Sequence, residues 1–192
     1  MLDFFNEIDT RVFIFLNSQH NGFFDFIMWW LSDKLIWIPF YLILLYFLIK
    51  NYKWEALPIL LTLAILIALS DQASGFIKNS VGRLRPSHNS DIQSQVHTLN
   101  GYLGGSFGFV SSHASNSFAL AMFLSHFLNN KIKHFAPLIF TWAVLVSYSR
   151  IYLGVHFPGD VIGGILLGFL LAWMMVNIYK RIIKKTCFSE YC

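Results

Sequence analysis

The stretch Val161–Tyr179, VIGGILLGFLLAWMMVNIY, carries no charged residue from one end to the other. A helix needs roughly 20 apolar residues to cross a bilayer, and somewhat fewer when charged flanks snorkel to the interface. With its flanks this stretch is long enough. Leu35–Ile49, Ala56–Ser70, Ala114–Leu128 and Phe135–Ser149 repeat the pattern. These runs account for a composition that is 56% hydrophobic and only 12% charged across 192 residues, about half the charge of an ordinary soluble domain. A soluble helical core would need polar faces on such helices, and they have almost none. The expected fold is therefore all-α. It is a polytopic membrane helix bundle of five to six transmembrane helices with an N-terminal amphipathic helix, forming one domain over residues 1–192.

The first 32 residues read differently. Met1–Asn17 mixes Asp3, Glu7, Asp9 and Arg11 with apolar residues at helical spacing, which predicts an amphipathic helix. His20-Asn21-Gly22 signals a turn, and Phe23–Leu31 a short aromatic helix. Both an interfacial and a crossing placement are compatible with this segment. It lacks the basic start and cleavage site of a signal peptide.

Positive charge near span ends marks the cytoplasmic side. Lys50 and Lys53 follow the first run, Lys131, Lys133 and His134 the third, and Lys180, Arg181, Lys184 and Lys185 the last. With alternating spans all three clusters fall on one side, an independent check on the span count. Cys187 and Cys192 then lie in the cytoplasmic tail as reduced thiols. Residues 82–112 form a long outward loop, and long loops in compact proteins are often functional.

The outward side collects an unusual polar set. Lys78 ends the second run, and Arg83 and Arg85 follow it; Ser111, Ser112 and His113 open the third; Ser149 and Arg150 close the fourth; His156 and Asp160 open the fifth. Topology alone brings them to one membrane face, where charges are expensive and tend to mark function. Singly, each cation could snorkel and each serine cap a helix. Together, Lys78, Arg85 and Arg150 suit phosphate oxygens. Ser111 and Ser112 stand at a helix N-terminus, where free N–H groups favour an anion. Asp160 sits within the first turn after Pro158, placed to accept one N–H of His156 and leave the other ring nitrogen as a nucleophile. His113 is placed to act as general acid. His20, His88, His97 and His126 read as ordinary polar residues. His88, Asp91 and His97 lack metal-ligand spacing, so no metal is expected. Asp71, two turns before Lys78, is expected to support the lysine ammonium through an ion pair; a proton-relay role is the alternative.

These residues fall into a known pattern. Lys78-Asn-Ser-Val-Gly-Arg-Leu-Arg85-Pro86 resembles the first signature of the type-2 phosphatidic acid phosphatase family, and Ser149-Arg150-Ile-Tyr-Leu-Gly-Val-His156-Phe-Pro-Gly-Asp160 resembles its third. The second signature, usually Pro-Ser-Gly-His, reads Val110-Ser111-Ser112-His113. The resemblance implies that Lys78, Arg85, Arg150, the Ser111 side chain and the Ser112 backbone hold phosphate. It also implies His156 as nucleophile, His113 as acid and Asp160 as its partner. The expected function is a metal-independent lipid phosphatase working through a phosphohistidine, without cofactor. Undecaprenyl diphosphate is the favoured substrate; phosphatidylglycerol phosphate, phosphatidic acid and lipid A remain alternatives. The expected location is the bacterial inner membrane, with the site on the periplasmic face. The partners are a membrane lipid and the bilayer, not nucleic acid; the oligomeric state is left open. The rival reading is a non-catalytic lipid-phosphate binder or transporter, which would not need His156 and Asp160.

Overall fold

A computed structural model describes the backbone of residues 2–189 and the side chains of residues 4–182. Lys184, Lys185, Cys187 and Cys192 therefore contribute no described side chain. Seven α-helices run in order among the described residues: α1 (Leu2–Asn17), α2 (Gly22–Ser32), α3 (Ile38–Tyr52), α4 (Ala56–Val81), α5 (Ser112–Leu128), α6 (Phe135–Tyr152) and α7 (Pro158–Ser189). No strand occurs among them; one isolated bridge joins Leu84 to Phe107.

Local chemistry sets the helix ends. The Asn21 side chain accepts from the N–H groups of Phe23 and Phe24 at 3.1 and 3.0 Å, capping α2. Pro39 and Pro158 stand in the first turns of α3 and α7, where a missing N–H costs nothing. Gly82 terminates α4, its N–H bonding the Lys78 carbonyl at 3.0 Å.

Helix α5 occupies the centre of the bundle. Its small residues let neighbours approach closely, the usual device where lipid removes the hydrophobic drive between helices. A methyl group on Gly164 would lie 2.5 Å from the Ser111 carbonyl oxygen, and one on Gly168 would collide with the Ser115 carbonyl. Two serines of α5 pair across the interface with α4: Ser70 and Ser115 hydroxyls lie 2.6 Å apart, and Ser74 and Ser112 hydroxyls 2.7 Å. Outward, Leu57, Leu61, Ile65 and Leu69 form an exposed apolar stripe along α4, and Ile162, Leu166, Leu170 and Trp173 one along α7. Stripes of this size suit lipid rather than water.

Among the described residues, three stretches are long and apolar enough to cross a membrane: Leu35–Val81, Phe135–Tyr152 and Pro158–Ile182. Together they hold four helices. Leu35–Val81 folds as α3 and α4, joined by a 3₁₀ turn at Lys53–Glu55, where the sequence separates the runs Leu35–Ile49 and Ala56–Ser70. Helix α5 is 17 residues long and buries much of its surface against protein. At 1.5 Å per residue, α1 and α2 span about 24 and about 17 Å, short of the ~30 Å hydrocarbon core. Helix α1 exposes Phe4, Phe5, Ile8, Val12 and Phe15 while burying Phe13 completely.

The ends of the bundle are chemically distinct. At one end the Tyr52 hydroxyl donates to the Phe127 carbonyl at 2.8 Å, and Phe127 also packs on Tyr179, tying together α3, α5 and α7 near the expected cytoplasmic lysines. At the other end lie the last turn of α4, the first turn of α5, the last turn of α6, the first turn of α7 and the long loop.

Candidate active site

Residues 82–111 fold over that second end with only short 3₁₀ turns, Pro86–His88 and Gln93–Gln95. Backbone bonds pin the loop down. Arg85 N–H reaches the Ser106 carbonyl at 3.0 Å, Gly108 N–H the Arg83 carbonyl at 2.8 Å, and Ser87 N–H the Gly154 carbonyl at 3.2 Å. Under it lies a cavity of about 860 Å³. Its head is lined by Lys78, Arg85, Ser112, His113, Arg150 and His156, and its lower walls by Leu44, Leu48, Leu63, Ile67, Leu124 and Trp142 from α3 to α6. A charged head thus opens directly into an apolar slot.

His156 stands in the connection between α6 and α7, almost fully buried. Its Nδ1 lies 3.4 Å from Asp160 Oδ2, and the Gly108 backbone also hydrogen-bonds the ring. Burial, and then the charges of Arg85, Arg150 and Lys78, hold its pKa well below the usual histidine value. The ring is therefore neutral at neutral pH, as a nucleophile must be. Asp160 is completely buried and saturated with donors: Phe157 N–H at 3.0 Å on Oδ2 and Arg83 Nη1 at 2.8 Å on Oδ1. Gly108 is dictated by this packing, because a methyl group there would sit 2.6 Å from Asp160 Oδ2.

Arg85 is fixed by its Nε, which donates to the Phe107 carbonyl at 3.0 Å. Arg150 donates from Nη1 to Ser32 Oγ and from Nη2 to the Tyr102 hydroxyl at 3.0 Å. Even so, Arg85 Nη1 and Arg150 Nε are buried and have no acceptor within the protein. Buried charged donors without partners are costly, so this pair is built to meet an anion. Lys78 Nζ donates to Ser112 Oγ, and His113 is half-buried on the cavity wall.

Two expectations change. Ser111 is fully buried, caps α5 through a long 3.5 Å contact from Ala114 N–H, and sends its own N–H to the Asp160 carbonyl at 2.9 Å. It is Ser112, not Ser111, that lines the cavity. One residue along a helix turns a side chain by about 100°, which spacing alone did not resolve. Asp71 lines the cavity and accepts from Asn116 Nδ2 at 3.4 Å; it makes no direct ion pair with Lys78, and its charge reaches the ammonium only across the cavity.

Residues to which the sequence assigned no role also reach the site. Arg83 bridges Asp160 and Asp9, with Nη2 to Asp9 Oδ2 at 2.7 Å. Ser32 and Tyr102 hold Arg150, and Lys34 lines the cavity. Arg83 lies inside the first signature, so its neighbourhood was visible. Asp9 had a fainter signal, sharing one face of α1 with Phe13 and Asn17 at helical spacing. Away from the cavity, His97 Nε2 lies 2.9 Å from Asp25 Oδ1 and stacks on His20 at 3.7 Å, while the Tyr152 hydroxyl donates to Asp25 at 2.6 Å. This trio, rather than His88, Asp91 and His97, is what the fold gathers, and it joins α2, the loop and α6.

A buried histidine backed by a carboxylate, a second histidine and three cations share this cavity, an arrangement suited to phosphoryl transfer. Comparison with known proteins agrees. The PAP2 superfamily matches residues 55–184, and the chain belongs to that superfamily as a membrane-bound phosphatase. It is 39% identical to the lipid A 4'-phosphatase of Bacteroides thetaiotaomicron over 185 residues, 95% of this chain and 81% of the relative. It is 34% identical to the lipid A 4'-phosphatase of Porphyromonas gingivalis, over 93% of this chain and 75% of that one. Among solved structures it superposes on Aquifex aeolicus LpxE with a TM-score of 0.67 and 26% identity, covering 88% of this chain and 94% of the other.

Proposed function

We propose that the protein is an integral-membrane lipid phosphatase acting on lipid A, with the 4'-phosphate as the ester cleaved. The observation that carries the reading is the pair of buried guanidinium donors without acceptors, beside a neutral His156, at the head of a cavity that continues into an apolar slot. Similarity to two lipid A 4'-phosphatases over most of their length supports the choice of lipid, in place of the undecaprenyl diphosphate favoured from sequence.

In this mechanism Arg85, Arg150 and Lys78 take the nonbridging phosphate oxygens. Asp160 holds the Nδ1 side of the ring, so the Nε2 lone pair attacks phosphorus. The new N–P bond forms as the bond from phosphorus to the lipid oxygen breaks, and His113 protonates that oxygen. Water then attacks the phosphohistidine, giving its proton to His113. The N–P bond breaks, and inorganic phosphate leaves with His156 restored. No step uses a metal ion. The lipid keeps its chains in the slot between helices while its headgroup meets the cations. The site faces the extracytoplasmic side of the inner membrane, opposite the lysine-rich end.

The test is phosphate release by the purified protein in detergent and chelator from lipid A, phosphatidylglycerol phosphate, phosphatidic acid and undecaprenyl diphosphate. Lipid A is expected to give the highest kcat/KM, with inhibition by vanadate. A higher value for undecaprenyl diphosphate would replace the substrate assignment. Release that requires added magnesium would refute the metal-free mechanism, and no release from any lipid would favour a non-catalytic binder.

A further inference from the structure

The superfamily match begins at residue 55, so α1 lies wholly outside it. The helix nevertheless reaches the catalytic residues along one face. Phe13 packs edge-on against Phe157, ring centres 5.3 Å apart. Asn17 is buried and donates from Nδ2 to the Ile151 and Tyr152 carbonyls at 3.2 and 2.8 Å, while its Oδ1 accepts His97 N–H at 2.7 Å. These contacts fix the helix against the connection that carries His156.

Asp9 does something further. Its Oδ1 accepts Gly159 N–H at 2.8 Å, and its Oδ2 accepts Arg83 Nη2 at 2.7 Å. The other arm of the same guanidinium, Nη1, holds Asp160 Oδ1 at 2.8 Å, and Asp160 Oδ2 faces His156 Nδ1. The guanidinium also lies 4.2 Å over the Phe157 ring, which fixes its plane. The result is an alternating chain of charge, Asp9–Arg83–Asp160–His156, running from α1 to the nucleophile.

Charge makes this more than an anchor. Attack on phosphorus leaves positive charge on the His156 ring, and Asp160 must balance it. An Arg83 paired with Asp160 alone would draw that carboxylate's charge away from the ring. Asp9 takes half of the guanidinium and returns Asp160 to His156. We propose that Asp9 is a positioning residue for catalysis, setting through Arg83 both the place and the effective charge of Asp160, so that the N-terminal helix is a working part of the site.

The inference rests on the phosphohistidine reading, and the test separates the two. The full chain is purified with Asp9→Asn, Asp9→Glu and, as a control on the exposed face of α1, Glu7→Gln. Asparagine can still accept the Gly159 N–H through Oδ1, so the anchor to α7 survives while the negative charge and the acceptor facing Arg83 are lost. Asp9→Asn is expected to lower kcat about 10- to 100-fold with KM within about twofold, and Asp9→Glu to recover part of the loss. Besides Asp9, the charged groups around His156 are Asp160, Arg83, Arg85, Arg150 and Lys78, with His113 on α5. Removing an anion from that set disfavours the imidazolium, so the acid limb of kcat/KM moves to lower pH. Wild-type kcat in Asp9→Asn overturns the proposal. So does a loss of kcat with an unmoved acid limb and no recovery in Asp9→Glu, which marks an anchor only. A wild-type protein that forms no phosphohistidine refutes the mechanism beneath it instead.

Discussion

The two ends of the chain meet at one site but contribute differently. In the proposed mechanism, residues after the α3–α4 turn supply the groups that act on the phosphate and the nucleophile: Lys78, Arg85, His113, Arg150 and His156, with Arg83 and Asp160 behind the last. Residues before it supply contacts to that set: Asp9 to Arg83, Asn17 to the backbone beneath His156, Ser32 to Arg150. Chemistry depends on a few atoms and tolerates little variation in residue type. Support depends on shape and charge, which many residues can provide. A domain boundary drawn from motifs alone would therefore cut through a working site.

Substitutions can break or sharpen that contrast. His156→Ala should remove turnover by at least about 10³-fold and abolish acid-labile phosphate on the protein; turnover near wild type would refute the covalent mechanism. Arg85→Ala should lower kcat/KM by about 10²- to 10³-fold. It should also move the acid limb opposite to Asp9→Asn. In the wild type, burial and three cations depress the His156 pKa, so the limb should lie below the ordinary histidine value of about 6.5 once substrate ionisation is corrected for. Losing one of those cations raises it. Limbs that move the same way in the two variants would show that the ends do not act on one charge network. Asn17→Ala should act on stability, costing about 1–3 kcal/mol by leaving the Tyr152 carbonyl and the His97 N–H without their Asn17 partner, seen as a lower Tm with an unchanged acid limb. Lys34→Ala should have the smallest effect, a rise in KM of a few fold, since this exposed lysine touches only the cavity rim.

Much of this was legible in the sequence. Uncharged runs predicted α4, α6 and α7, because a lipid-facing helix has little choice of composition. The signature residues came together as topology required. What sequence left unresolved has physical causes. Ser111 and Ser112 are chemically identical, and only helix phase tells the cap from the cavity wall. Asp71 and Lys78 share a face, but the rotamer that turns Asp71 toward Asn116 is not written in their spacing. Asp9 looked like one more polar residue of an amphipathic helix until the fold placed Arg83 and Gly159 beside it.

The slot below the cations also sets the dimension in which the enzyme works. Leu44, Leu48, Leu63 and Leu124 line the apolar part of the cavity, below its charged head. On the proposed reading a substrate is not lifted out of its leaflet; it diffuses laterally and docks. The quantity governing saturation is then the mole fraction of phosphorylated lipid in the bilayer. Diluting vesicles in buffer should leave the rate per enzyme unchanged, whereas diluting the substrate with inert lipid should lower it.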